Sequence, residues 1–354
     1  MRTRVLIIDD SPYTRQIIRK ILEKDSSLEV IGVAADGIDA MAKTLRYKPD
    51  IITLDFEMPE MDGFTFLRWL MREKPTPVIM VSSHSDSKIV FKALELGAVD
   101  FVAKPTKRAS AELRNIEKDL LRKIAGIRGI RLDVLSKNLE QFEKESGASF
   151  TVPVKGTESE IEVIAIGSST GGPAALQFIL TKFPDDFRPA VLISQHMPRG
   201  FTGPLAERLN KLSSVHIKEA RDGEQIKAGT VFICPGGYHM SVKKSPGGPT
   251  ISLTEGKLTD KYIPSVDRMM KSVAKHFGFR TLAVVLTGMG SDGKEGMLEI
   301  KEKGGYTIAE SEESAVVFGM PAEAIKANAV KTVLPIVEIP AEIIDVVNNS
   351  DLRK

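Results

Sequence analysis

The 354-residue chain contains one cysteine, Cys234. That excludes an intramolecular disulfide framework and fits a reducing compartment. An excess of one charge sign is also missing. Lys and Arg number 49 against 47 Asp and Glu, and a formal net charge of +2 gives no case for binding nucleic acid or a membrane surface. No run of ~18 apolar residues occurs, so no spanning helix and no membrane insertion is expected. The first apolar run stops at Asp9, too short for the apolar region of a signal peptide. A cytoplasmic location is expected. No helix-turn-helix pattern, internal repeat or low-complexity tract stands out. What remains is ordinary for soluble globular domains, with 42% apolar and 27% charged residues. The length suffices for two or three domains with full cores.

The first part alternates strand and helix signals. Val5–Ile8 is a continuous apolar run, as a central parallel strand requires. Ser11-Pro12 follows as an N-cap with proline at the first helical position. Ile17, Ile18, Ile21 and Leu22 supply the buried stripe of that helix. Further strand runs are Val30–Ala34, Ile51–Leu54, Val78–Val81 and Phe101–Ala103. The pattern predicts one doubly wound five-stranded parallel domain over 1–125. Residues 126–158 read as a linker, helical over the stripe Leu132, Leu135, Leu139 and Phe142, then looser from Ser146 to Thr157. Gly126 and Gly129 interrupt this stripe and the one before it. Residues 159–348 read as a second doubly wound α/β domain. Its short strands around Val231–Cys234, Met240–Val242 and Ile251–Leu253 predict an edge hairpin on a mostly parallel sheet.

In such sheets, function sits at the carboxyl ends of the strands. In the first domain those ends carry Asp9 and Asp10, Asp55, Ser82 and Lys104. Three carboxylates at one point repel unless a cation joins them, and a hard divalent ion such as Mg²⁺ suits oxygen ligands. Any one of these residues could be a solubilising loop residue, but five at the right strand ends is not chance. The motifs Asp9-Asp10, Asp55-Phe-Glu-Met-Pro-Glu-Met-Asp-Gly63, Ser82 and Lys104-Pro105 resemble the receiver domains of two-component response regulators. The resemblance implies that Asp55 is the phosphoacceptor. It implies that Asp10, Asp55 and the Glu57 backbone carbonyl, with Asp9 beside them, hold Mg²⁺. Lys104 would contact the phosphoryl group, Ser82 would move to bond it, and Phe101 matches the aromatic switch position.

In the second domain Ile161–Ile166 runs into Gly167-Ser-Ser-Thr-Gly-Gly-Pro173. Gly167, Ser169 and Gly171 fit the G-x-S-x-G nucleophile elbow. A Gly-rich strand-to-helix loop binds phosphate at least as often, so the elbow alone does not decide. His196 follows the strand Ala190–Ser194, and within hydrogen-bond reach it could deprotonate Ser169. His84, His216, His239 and His276 have no comparable setting in the sequence. Asp292 lies in the glycine-rich loop after Leu282–Leu286, where it would orient His196, N-capping of the next helix being the plain alternative. The order Ser…His…Asp differs from that of α/β-hydrolases. Cys234 is the rival nucleophile, but no elbow surrounds it and a lone cysteine is usually a buried apolar residue.

The motifs Ile-Gly-Ser-Ser-Thr-Gly-Gly, Gln-His-Met-Pro, Cys-Pro-Gly-Gly and Leu-Thr-Gly-Met-Gly-Ser-Asp-Gly resemble the chemotaxis receptor methylesterases of the CheB type. With the receiver, the resemblance covers nearly the whole chain. It implies hydrolysis of glutamyl methyl esters on chemoreceptor cytoplasmic domains, giving methanol, and deamidation of receptor glutamines. It implies Ser169 as nucleophile, His196 as base and Asp292 as third member, with Thr170 and Met289 near the nucleophile and the oxyanion. No cofactor is expected for the ester chemistry. A chemotaxis histidine kinase is the implied phosphodonor, and the receiver is expected to limit access until Asp55 is phosphorylated. The alternative from another class is a phospho-switched binding module without catalysis.

Overall fold

A computed structural model describes residues 2–82, 87–104, 111–127, 130–145, 160–257 and 259–349. His84, Pro105, Gly129 and the stretch from Ser146 to Thr157 lie outside the described residues. The chain forms two units, Met1–Leu139 and Glu140–Lys354.

The first unit runs β1 (Thr3–Ile8), α1 (Pro12–Leu22), β2 (Leu28–Ala34), α2 (Gly37–Tyr47), β3 (Ile51–Asp55), α3 (Gly63–Glu73), β4 (Val78–Ser82), α4 (Ser87–Glu95), β5 (Asp100–Ala103) and α5 (Ala111–Ile127). A helix α6 (Leu132–Glu145) follows, and the division between the units falls inside it. The sheet order is β2-β1-β3-β4-β5 and every pairing is parallel. The Ser11 side chain accepts the Thr14 N–H, so the expected N-cap opens α1. Ile18, Ile21 and Leu22 are buried below it, while Ile17 is only partly covered. α5 continues through Gly126 to Ile127, so that glycine does not end the helix. With Leu120 and Ile124 already fully buried, packing outweighs the ~1 kcal/mol that a helical glycine costs.

The second unit runs β6 (Val163–Ser168), α7 (Gly172–Leu180), β7 (Ala190–Gln195), α8 (Thr202–Leu212), β8 (His216–Glu219), β9 (Thr230–Ile233), β10 (Tyr238–Ser245), β11 (Gly248–Glu255), α9 (Val266–Phe277), β12 (Thr281–Val285), α10 (Lys294–Glu302), β13 (Tyr306–Glu310), α11 (Met320–Lys326), β14 (Thr332–Leu334) and α12 (Ile339–Asn348). Seven strands form one parallel sheet, β14-β13-β12-β6-β7-β9-β8. Its middle strands β12, β6 and β7 are buried throughout. Met269, Met270, Val273 and Ala274 of α9 are buried in the same apolar cluster as Val163, Leu192 and Val285 of these strands. Each Met, Val or Leu side chain among them contributes roughly 1.5–3 kcal/mol by leaving water.

The hairpin forms, but not on the edge of this sheet. β9 is an inner strand of the parallel sheet, and β10 pairs with β11 in a two-stranded antiparallel sheet of its own. The reason lies in what covers it. The Val242 N–H of β10 bonds to Ser272 of α9. The backbone of β11 is met by the loop at Gly223–Ile226, through bonds between Ile251 and both Gly223 and Glu224.

Candidate functional site

Strand register brings three segments of the second unit together. Ser168 of β6 lies opposite Gln195 of β7. Ser169 and His196 are therefore the next residues on neighbouring strands. On the other side, the Ser169 N–H donates to the Thr287 carbonyl just beyond β12, at 3.0 Å. Gly171 sits at φ +79°, a conformation that favours glycine, and turns the chain into α7. Gly288 lies so close to Ser169 that a Cβ would stand 2.7 Å from the serine Cβ.

Gln195 locks this corner. Its Nε2 donates to the Ser169 carbonyl at 2.9 Å and to the His196 carbonyl at 3.0 Å, while its Oε1 accepts the Ser168 hydroxyl at 2.6 Å. One buried amide thus ties the backbone of both residues. Its place beside His196 was the only sequence signal for it.

His196 Nε2 lies 2.8 Å from Asp292 Oδ2. Asp292 also accepts the N–H groups of Val266 and Asp267 at 2.7 and 2.9 Å and the Ser265 hydroxyl at 3.2 Å. Those groups open α9, so the capping role applies to α9 and not to the α10 that follows Asp292. In return Asp267 accepts the N–H groups of Gly293 and Gly296 at the start of α10. Each helix N-terminus is thus served by an aspartate from the other. Burial alone would raise the Asp292 carboxyl, but His196 and the two backbone donors outweigh it and hold it below the usual range. Asp267, half-buried and next to the Asp292 charge, is instead pushed up to about 6, its desolvation being the largest cause. The Ser265 cap was legible as a serine before the stripe of α9 and was not read as part of the site.

Three further observations complete the surroundings. The Tyr262 ring stacks on the His196 ring, with centroids 5.0 Å apart and planes 5° from parallel. Glu310, at the end of β13, accepts the Thr287 N–H at 2.7 Å and the Ser314 hydroxyl at 2.9 Å. Complete burial pushes it up to about 7. It ends an apolar run as Asp55 does, a signal passed over in the sequence. Cys234 is fully buried, and that burial raises its thiol far out of the reactive range. Thr170 is buried beside Ser169, and Met289 lies half-buried after Gly288.

In the first unit, carboxylate oxygens of Asp9, Asp10 and Asp55 lie within 4.8 Å of one another. Lys104 Nζ lies 2.6 Å from Asp55 Oδ2 and 3.7 Å from Asp9 Oδ2. Burial, then the Asp55 charge, pushes Asp9 up to about 6. Burial likewise raises Asp55 against the opposing pull of Lys104. Asp9 Oδ2 is buried and accepts no hydrogen bond. An oxygen-only donor set with an orphaned buried carboxylate oxygen fits a hard divalent cation. Ser82 is buried at the end of β4, Phe101 is buried near the start of β5, and Glu57 is exposed. Lys123, which no motif announced, is buried on α5. It bonds Asp100 at 2.9 Å and the Phe101 carbonyl, and its ammonium lies 5.0 Å from the Phe101 ring centroid.

Comparisons with known proteins agree in both units. Residues 164–343 match the family model for the CheB methylesterase, and residues 5–115 match the response regulator receiver domain. A protein of Geobacter sulfurreducens named protein-glutamate methylesterase/protein-glutamine glutaminase 3 is 47% identical over 359 residues, covering 97% of this chain and 97% of its own. An Archaeoglobus fulgidus protein named protein-glutamate methylesterase/protein-glutamine glutaminase is 43% identical, covering 96% of this chain and 97% of its own. The crystal structure of the Thermotoga maritima CheB methylesterase catalytic domain is 41% identical with a TM-score of 0.51, covering 52% of this chain and 98% of that one.

Proposed function

The chain belongs to the CheB methylesterase family, and from that premise we propose how its own residues carry the reaction. The protein is a protein-glutamate methylesterase and protein-glutamine glutaminase with a receiver domain, acting in chemotaxis. Its substrates are methylated glutamates and glutamines on the cytoplasmic domains of chemoreceptors. The phosphodonor to its receiver is a chemotaxis histidine kinase. Among the described residues no helix is long and apolar enough to cross a membrane, in keeping with action from the cytoplasm.

Asp292 holds Nε2 of His196, which assigns Nδ1 to the Ser169 hydroxyl. His196 takes the Ser169 proton, and Oγ attacks the ester carbonyl. The Ser169 and Gly172 N–H groups are already bonded to the Thr287 and Ser169 carbonyls. By the family resemblance, other backbone N–H groups, around Thr170 and Met289, would hold the oxyanion. Methanol leaves with the proton from His196, and water then hydrolyses the acyl-enzyme through the same relay. The observation that carries this reading is the His196–Asp292 bond at the strand end adjoining Ser169.

In the receiver, Asp9, Asp10, Asp55 and the Glu57 carbonyl would hold Mg²⁺, whose charge offsets that of a phosphoryl group on Asp55. Lys104 would bond the phosphoryl oxygens once released from the Asp55 carboxylate. Ser82 and Phe101 would respond to the new group.

The test is methanol release from methylated chemoreceptor membranes by wild type, Ser169→Ala and Asp55→Ala, with and without a small phosphodonor and Mg²⁺. Activity should require Ser169, and stimulation should require Asp55. Release by Ser169→Ala at the wild-type rate would move the nucleophile elsewhere. Stimulation that survives Asp55→Ala would remove the receiver from control.

A further inference from the structure

His239 has no special setting in the sequence, yet it is 2% exposed and forms a second histidine–aspartate pair beside the first. Its Nε2 lies 2.8 Å from Asp260 Oδ2. Its Nδ1 accepts the Ser265 N–H at 3.1 Å. A ring nitrogen that accepts carries no proton, so His239 is neutral, and the proton on Nε2 goes to Asp260. Asp260 is fixed in turn. The Lys257 N–H bonds its Oδ2 at 2.8 Å, and Arg268 bonds its Oδ1 at 3.1 Å. The Lys257 bond and the His239 contact hold its carboxyl below the usual range.

Ser265 joins the two pairs. Its backbone N–H is on His239, and its hydroxyl donates to Asp292 Oδ1. The next two N–H groups, of Val266 and Asp267, also end on Asp292. The direction of the Ser265 peptide thus governs three of the four donors that hold the triad carboxylate.

We propose that His239 is a positioning residue for the esterase: by accepting the Ser265 N–H it aims the start of α9 at Asp292, and so sets the carboxylate that orients His196. The inference rests on the hydrolytic role of Ser169, His196 and Asp292. It adds a residue that touches neither substrate nor the reacting atoms. Without an acceptor at the Nδ1 position, the Ser265 N–H is left unbonded in a half-buried setting, and the peptide turns to find another partner. Asp292 then follows its donors. The imidazolium of His196 loses stabilisation in the transition state, while substrate binding is untouched.

Two substitutions in the full chain separate this role from plain packing. His239→Asn keeps an oxygen where Nδ1 stands and so keeps the acceptor. His239→Gln places its amide toward Asp260 and leaves Ser265 without one. The readout is steady-state methanol release from methylated chemoreceptor membranes, with Ser169→Ala run alongside. His239→Gln should lose on the order of tenfold to a hundredfold in kcat at unchanged KM. The acidic limb of its kcat/KM profile should move to lower pH, because the imidazolium is less well held. His239→Asn should stay within about threefold of wild type. Equal behaviour of the two variants, with Ser169→Ala inactive, would overturn the proposal and leave the hydrolytic reading standing. An active Ser169→Ala would overturn both. Should His239→Gln fail to fold, the ¹⁵N tautomer of His239 in wild type decides. The Nε2–H form is expected, and the Nδ1–H form would sink the proposal.

Discussion

The two units place their chemistry at the same architectural spot, the carboxyl ends of a parallel sheet, and give it opposite electrostatics. In the receiver, three carboxylates meet one ammonium, and burial plus mutual repulsion pushes Asp9 up to about 6. In the esterase, one triad carboxylate meets four donors and is held low. The receiver pocket is under-satisfied, which fits the proposed binding of a cation and a phosphoryl group there. The Asp292 carboxylate has its donors in place before substrate arrives, as the proposed hydrolytic role would require. The difference shows that the fold supplies a place, and that the count of donors against acceptors decides whether the place is a switch or a catalyst.

The strongest way to break this comparison is to unbalance the satisfied side. Asp292→Asn should lower methanol release by on the order of 10⁴-fold, because the amide cannot hold the His196 tautomer as a carboxylate does. The folded unit should lose only about 1 kcal/mol, since Asn still caps α9. A loss under tenfold would show that the His196–Asp292 bond does not matter to turnover.

The under-satisfied side is sharpened by pH and metal. A carboxyl raised in the fold binds its proton more tightly folded than unfolded. Ionising Asp9 therefore costs stability as pH rises from the ordinary carboxylate range through about 6. Without divalent metal, the receiver should be more stable near about pH 5 than near about pH 7.5, by on the order of 1 kcal/mol. Mg²⁺ should raise its melting temperature at the higher pH and do little at the lower one. Asp9→Asn should flatten both dependences, as followed by thermal denaturation. A metal response undiminished at low pH would break the assignment.

The smallest expected effect is at Glu310. Glu310→Gln keeps an acceptor for the Thr287 N–H, turns an amide NH2 toward the Ser314 hydroxyl and removes the titration near about 7. Methanol release should stay within about threefold of wild type across neutral pH. Glu310→Ala should cost more, because the Thr287 N–H then lies buried and unpaired.

Much of this was legible in the chain. The apolar runs located β1, β3, β6, β7 and β12 to within two residues at either end, because central parallel strands are buried on both faces and read as unbroken hydrophobic stretches. The residues that end them, Asp9, Asp55, Ser169 and His196, were legible for the same reason: the first polar residue past a buried strand faces the functional edge. The hairpin β10–β11 was misplaced, because alternation predicts a half-covered strand but not what covers it. His239 went unread because its partner Asp260 lies on the connection leading to α9, 21 residues away.

The sequence by itself determined the fold class, the strand ends and the identity of the groups that stand there, since burial periodicity and turn chemistry are local properties of the chain. Only the tertiary structure decided which helix Asp292 caps, that Gln195 ties Ser169 to His196, and that His239 and Ser265 stand behind the triad. Those are hydrogen bonds between residues far apart in the chain. Their partners are chosen by which donors folding buries side by side, and no local pattern records that choice.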